Sequence, residues 1–187
     1  GTMTANSFAF SGPTDIYTVS AGGGSAQRLR GASGDGFNYY PAYSPDGKWL
    51  AFTRHTRGNS TYAAPAAEIF VVPSAGGDRI RLRANDSDNG TPLSDVSNSW
   101  TTWSPDSKKL AFTSKRVDPS YDIYLTEIDE SGNSGPASRL EKAAIAGVFE
   151  HTPFWGEAPT LDLLPALLGL VPCLVPFFLV VLAWFVC

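Results

Sequence analysis

The sequence predicts an all-β domain of antiparallel four-stranded sheets, about three sheets' worth, followed by one C-terminal transmembrane α-helix. Three observations carry this reading. Residues 1–160 are polar and rich in Gly, Pro, Ser, Thr and Asp, a composition that suits short strands joined by turns. An eleven-residue pattern, Tyr43 to Thr53, recurs from Trp103 to Thr113, 60 residues on. The 25 residues from Leu163 to Cys187 carry no charge. As a helix they would rise about 37 Å, enough to cross a hydrocarbon core of about 30 Å with some tilt. The predicted organisation is a repeat domain over residues 1–155, a linker over 156–162 and a membrane helix over 163–187.

Each element follows from local chemistry. Ser7-Phe8-Ala9-Phe10 reads as a strand, and Asp15-Ile16-Tyr17-Thr18-Val19 as the next. The first full unit opens with the aromatic stretch Tyr39 to Ser44. Ser44-Pro45-Asp46-Gly47 then turns the chain: Pro45 presets φ, Asp46 bonds its own backbone and Gly47 accepts positive φ. Trp49 to Phe52 completes a hairpin, and Glu68-Ile69-Phe70-Val71-Val72 adds a third strand. In the second unit Ser107 stands where Gly47 stands in the first, which predicts a slightly different turn. Asp122-Ile123-Tyr124-Leu125-Thr126 is its third strand. Short fourth strands are expected at Gln27-Arg28-Leu29, Arg79-Ile80-Arg81-Leu82 and Ser138-Arg139-Leu140. Gly-rich links such as Ala21 to Ser25 and Ala75 to Asp78 join third to fourth strands. Each unit is a four-stranded meander of roughly 50–60 residues, the size of a propeller blade.

The pair SPDGKWLAFT and EIFVV, with the variants SPDSKKLAFT and DIYLT, resembles the TolB-like (WD40-like) β-propeller repeat over most of residues 7–155. That resemblance implies radially packed four-stranded sheets, export in bacteria and a protein-binding role. It implies no catalytic residue, because the motif is structural. A last first-strand pattern, Glu150-His151-Thr152-Pro153-Phe154-Trp155, brings the strands to about twelve, three blades' worth, and is placed to pair with the first strand and close a ring. Propellers have about four to eight blades. Three readings therefore stay open: a fragment of a longer propeller, a compact or open three-sheet domain supported by partners, or misplaced end strands.

Pro159 discourages regular structure in the linker, and Asp162 offers a polar helix start. Within the span Pro165 lies in the first turn, whereas Pro172 and Pro176 each remove a backbone bond and kink the helix. Gly169 and Cys173 are small and one turn apart, a helix-contact pattern. Trp184 suits the far interface. Gly169, Pro172, Cys173, Pro176 and Trp184 are thus the candidate packing residues of the membrane helix. The resemblance favours a periplasmic domain with the C-terminus towards the cytoplasm.

Chemistry is sparse. The net charge of −4, with no basic cluster, argues against nucleic acid. Both cysteines, Cys173 and Cys187, lie in the apolar tail, so residues 1–160 offer no disulfide and no thiolate site. His55 and His151 sit in different repeats without metal-ligand spacing, and a surface or strand-capping role is expected for them. Gly132-Asn133-Ser134-Gly135-Pro136 puts Pro where a nucleophile elbow needs Gly. Asn85 to Gly90 clusters oxygens as a calcium loop does, but Val96 occupies the twelfth position where an EF-hand needs an acid; a solvated loop is expected. The long connections Arg54 to Ala67 and Ala84 to Asn98 are candidate binding loops. The aromatics Tyr39, Tyr40, Tyr43, Trp100, Trp103, Phe154 and Trp155 are expected to pack blade against blade.

No catalytic residue, cofactor or metal ligand is therefore assigned. The expected function is that of a non-enzymatic, membrane-anchored accessory or scaffold subunit. Its propeller-like domain would bind and stabilise a larger membrane protein complex, respiratory, photosynthetic or transport. The alternative is the non-catalytic propeller portion of a longer enzyme or sensor.

Overall fold

The computed structural model describes residues 7–12, 14–34, 36–56, 64–93, 96–117, 121–140, 153 and 155, all within one unit, Gly1–Trp155. Among them no helix is long and apolar enough to cross a membrane. The predicted span and its linker, with Gly169, Pro172, Cys173, Pro176 and Trp184, lie outside the described residues.

The architecture is all-β and antiparallel. A first sheet joins β1 (Ser7–Ser11), β2 (Ile16–Ser20) and β3 (Gln27–Arg28). A second joins β4 (Phe37–Tyr43), β5 (Trp49–His55), β6 (Glu68–Pro73) and β7 (Ile80–Arg81). A third joins β8 (Asn98–Trp103), β9 (Lys109–Ser114), β10 (Asp122–Glu127) and β11 (Ser138–Arg139). Each is a meander in which strands adjacent in sequence are paired. Strands are thus found where the repeat predicts them.

The core lies between sheets. Ile16, Leu29 and Ala32 of the first meet Leu50, Phe52, Phe70 and Val72 of the second. The opposite face of the second sheet, Ala51, Ile69, Val71 and Leu82, meets Trp103, Leu110, Phe112 and Tyr124 of the third. The second sheet is therefore covered on both faces. That explains why β5 and β6 read as continuous apolar runs rather than alternating ones.

The two Ser-Pro-Asp turns are superimposable in their bonding, contrary to the difference expected from Ser107. Ser44 Oγ donates to Asp46 Oδ1 at 2.6 Å, and Ser104 Oγ to Asp106 Oδ1 at 2.6 Å. The Lys48 and Lys108 amides donate to the same carboxylates at 3.1 Å. Gly47 has φ 74° and Ser107 φ 61°. A serine in that region costs about 1–2 kcal/mol, but its Oγ accepts the Asp46 amide at 3.0 Å and so ties one turn to the next.

These bonds hold the carboxylates ionised. The Ser104 hydroxyl and Lys108 amide lower the pKa of Asp106. The Asn133 amide and side chain do the same for Asp129 in the β10–β11 turn. A group depressed in the fold stabilises it above its unfolded pKa of about 3.9, and that contribution disappears as pH falls through the lower folded value. Acid titration of the thermal midpoint should show a loss below about pH 4, shallower in Asp106→Asn.

One ion pair recurs in every sheet. Asp15 pairs with Arg28, Glu68 with Arg81 at 2.6 Å and Asp122 with Arg139 at 2.9 Å. Each joins the start of a third strand to the fourth strand, holding the short outer strand on its sheet. Among the described residues Asp122 is the most enclosed acid, at 4% side-chain exposure beside an Arg139 at 25%. Arg139→Met should therefore cost about 2 kcal/mol in denaturant unfolding, and Asp122→Asn added to it should restore part of that.

Candidate functional site

The first strands of the second and third sheets share an irregularity that no other strand has among the described residues. In β4 the register with β5 shifts between Tyr39 and Ala42; in β8 the register with β9 shifts between Ser99 and Thr102. Two residues, Tyr40-Pro41 or Trp100-Thr101, thus stand opposite one, Phe52 or Phe112. The residue at each bulge has positive φ, 54° for Tyr40 and 50° for Trp100. Bulges usually place glycine there, and a bulky side chain in this region is strained. Strain of this kind concentrates where a side chain must be aimed.

The bulges bring Tyr40 and Trp100 together, with ring centroids 5.2 Å apart and planes tilted by 32°. Around them runs a continuous aromatic row. Phe37 stacks on His55 at 4.9 Å, His55 meets the edge of Tyr39 at 5.7 Å, and Tyr39 meets Tyr40 at 5.2 Å. At the other end Trp100 packs edge-on to Tyr121 at 5.2 Å, and Lys115 Nζ lies 4.5 Å over the Tyr121 ring. Tyr39, His55 and Tyr121 are buried, whereas Tyr40 and Trp100 are half-exposed. The buried members form a floor beside the two half-buried bulged rings.

Electrostatics fit binding by stacking and hydrogen bonding. Burial pushes the Tyr39 phenol far above its ordinary range, with Tyr121 and Tyr40 adding to the effect, so it stays neutral and serves as a hydrogen-bonding group. Beside Trp100, Thr101 Oγ1 is buried with no hydrogen-bond partner, and so is Asn38 Oδ1 next to Tyr39. Such atoms need a partner to offset their burial.

The candidates read from the sequence separate here. His55 is buried at 1% exposure inside the aromatic row rather than at the surface, because β5 runs on to residue 55. His151 lies outside the described residues, as do Phe154 and residues 57–63 of the Arg54 to Ala67 loop. Trp103 packs between sheets as expected, and its Nε1 donates to the Ala42 carbonyl at 3.0 Å. Trp155 repeats this one unit on, donating to the Thr102 carbonyl at 3.3 Å. The 150–155 segment was expected to pair with β1; its two described residues, Pro153 and Trp155, show no such pairing, and Trp155 sits against β8. Tyr40 of the second sheet and Trp100 of the third also pack blade against blade, as expected, but from bulges that the sequence reading did not foresee. Pro41 in the middle of a strand pattern was the available signal, since proline inside a sheet marks an edge or a bulge.

The Asn85 to Gly90 oxygens are committed to the fold. Asn85, at 1% exposure, accepts from the Ile69 amide and donates to the Ile69 and Leu82 carbonyls, each at 2.8 Å. Asp86 pairs with Arg81 at 2.7 Å. Among the described residues no three His, Cys, Asp or Glu side chains are grouped to hold a metal ion.

Sheets that pack face to face in sequence order, the second and third each led by a bulged first strand, define a propeller-type repeat protein. The comparisons agree with this. No protein-family model matches the chain. Among solved structures it is similar to a putative TolB from Agrobacterium tumefaciens, 26% identical with a TM-score of 0.51 over 72% of this chain and 45% of that one. It is also similar to TolB from Acinetobacter baumannii, 26% identical with a TM-score of 0.52 over 78% of this chain and 31% of that one. The chain thus has the TolB-like propeller fold and matches less than half the length of each of these proteins.

Proposed function

We propose that the chain is a non-enzymatic, membrane-anchored accessory or scaffold subunit whose propeller-like domain binds and stabilises a larger membrane protein complex, for example a respiratory, photosynthetic or transport assembly. The observation that carries this is the paired bulge. Two large aromatic rings are held half-exposed, in a backbone conformation that costs stability, over a buried aromatic floor. Aromatic side chains that are rigidly placed and partly wet are suited to protein recognition. The uncharged stretch 163–187 supplies the anchor, with the domain on the periplasmic side and the C-terminus towards the cytoplasm. Gly169, Pro172, Cys173, Pro176 and Trp184 pack that helix against neighbouring helices.

The test is mild-detergent extraction of a tagged chain from its native membrane, with mass spectrometry of its companions. Stoichiometric membrane subunits are expected. They should be lost in Tyr40→Asn/Trp100→Asn, which keeps a residue tolerant of positive φ and removes both rings. Recovery of the chain alone would overturn the reading. A second reading, the non-catalytic part of a longer enzyme or sensor, is favoured by one fact, the match to less than half of each solved structure. Intact mass from the same extraction separates the two.

A further inference from the structure

A turn between β7 and β8 copies the repeat's own turn with a single exchange. It is Ser87-Asp88-Asn89-Gly90-Thr91, closed by the bridge between Asp86 and Pro92. The Gly90 amide donates to the Ser87 carbonyl at 2.8 Å, as Gly47 does to Ser44 and Ser107 to Ser104 at 2.9 Å. Ser87 Oγ donates to Asn89 Oδ1 at 2.5 Å, and the Thr91 amide donates to the same oxygen at 3.1 Å. In the repeat turns Asp46 Oδ1 and Asp106 Oδ1 accept the same two bonds, at 2.6 and 3.1 Å. Gly90 has φ 82°, in the same region as Gly47 and Ser107. Asn89 thus stands where the repeat places aspartate.

Donors arranged to hold a carboxylate also stabilise the negative oxygen that forms when a nucleophile adds to an amide carbonyl. In the third sheet the Ser104 hydroxyl and Lys108 amide keep Asp106 ionised in this way. At Asn89 the nucleophile is the next backbone nitrogen. Asn89-Gly90 is the one Asn-Gly pair in the sequence, and even a Cβ on Gly90 would meet nothing within 4 Å, so the approach to Asn89 Cγ is open. The bond from Gly90 to the Ser87 carbonyl lies in the peptide plane, whereas the attack uses the face of the nitrogen. Asn89 is exposed, so ammonia can leave and water can enter. The other described asparagines lack this combination. Asn38, Asn85 and Asn98 are buried. Asn133 precedes a serine, and its Nδ2 is tied to Asp129 at 3.1 Å.

We propose that Asn89 is a self-modification site, at which the turn converts its own asparagine to aspartate. The Gly90 nitrogen bonds to Asn89 Cγ, the Cγ–Nδ2 bond breaks, and ammonia leaves with the proton from Gly90. The resulting five-membered imide takes up one water. Opening at Cγ gives aspartate, and opening at the backbone carbonyl gives isoaspartate. The aspartate completes the Ser-x-Asp-Gly turn of the repeat and adds a carboxylate beside Asp86 and Asp88, in the 84–98 connection. The isoaspartate lengthens the backbone by one carbon and strains the bond from the Ser87 amide to the Thr91 carbonyl, now 2.9 Å. Asp46-Gly47 stays outside this chemistry, because an ionised carboxylate is a poor electrophile.

The test incubates the full chain, in mild detergent and warm, mildly alkaline buffer, and follows it by peptide mass spectrometry. A gain of one mass unit is expected in the peptide carrying Asn89 and not in that carrying Asn133. Its rate should rise with hydroxide and at least match that of the free peptide Ser-Asp-Asn-Gly-Thr. Enzymatic methylation of isoaspartate should label the same peptide. Ser87→Ala, which removes one donor to Oδ1, should slow conversion several-fold, and Ser87→Thr, which keeps the hydroxyl, should restore it. Thermal melts of both variants check that the domain stays folded. Three results would overturn the proposal: conversion slower than in the free peptide; faster conversion in Ser87→Ala, which would make the turn a protection; or equal conversion at Asn133. None of these outcomes depends on whether a membrane partner is found.

Discussion

Truncating Phe112 to alanine should lower the free energy of unfolding by about 3–5 kcal/mol. Phe112 is fully buried, and it sits where the second and third sheets meet, stacked on Tyr124 with centroids 5.9 Å apart and packed with Ile69, Val71 and Leu82. Arg116 lies over both rings, 5.7 Å from the Phe112 centroid and 4.5 Å from that of Tyr124. Burial holds the Arg116 pKa below its ordinary value; its guanidinium donates to the Ala84 carbonyl at 2.6 Å. Removing the ring therefore opens a cavity and also strips one packing surface from a cation that stays hydrogen-bonded to Ser114, Ala84, Asp86 and Asn98. Urea unfolding should show a lower midpoint with the slope unchanged. Phe112→Leu, which keeps most of the volume, should cost less than half as much.

Replacing Asn85 with alanine should cost about 3 kcal/mol, a large effect for a polar residue in a connection between strands. Its side chain is the partner of three buried backbone groups on Ile69 and Leu82, and a buried group left unpaired costs about 1–3 kcal/mol. Asn85→Asp should be at least as damaging, since a carboxylate would face two carbonyl oxygens that now accept from the amide nitrogen. Thermal unfolding of both variants with and without added calcium checks the prediction. An unchanged loss in calcium is expected, because the amide acts as a clamp on β6.

The sheet skeleton was readable because the Ser-Pro-Asp turn is local. Proline, aspartate and a residue tolerant of positive φ act within five residues, and nothing distant has to be known. Ser107 was misjudged for the opposite reason. What lets a serine stand there is the Asp46 amide of another sheet, a contact whose ends are 61 positions apart in the chain. Asn85 and His55 were misread in the same direction. Each looks like surface chemistry in sequence, and each is buried by strands that arrive from elsewhere. The ion pairs were present in the sequence as Asp15 with Arg28, Glu68 with Arg81 and Asp122 with Arg139. Their meaning appears only once the third strands are aligned with one another. The paired bulge was the least legible feature, because its position normally announces itself through glycine. Here Tyr40 and Trp100 occupy it, and Pro41 was the remaining hint.

The indole bonds from Trp103 to β4 and from Trp155 to β8 make the sheets a nearest-neighbour array, in which stability is a sum over units and over the joints between them. Among the described residues the second sheet has a packed joint on each face and the first sheet on one. Loss of structure in a lone chain should therefore travel like a zipper from the first sheet inward. Amide exchange would be fastest along β1 and slowest along β5 and β6, so the order in which the domain comes apart is written in how many neighbours each sheet has.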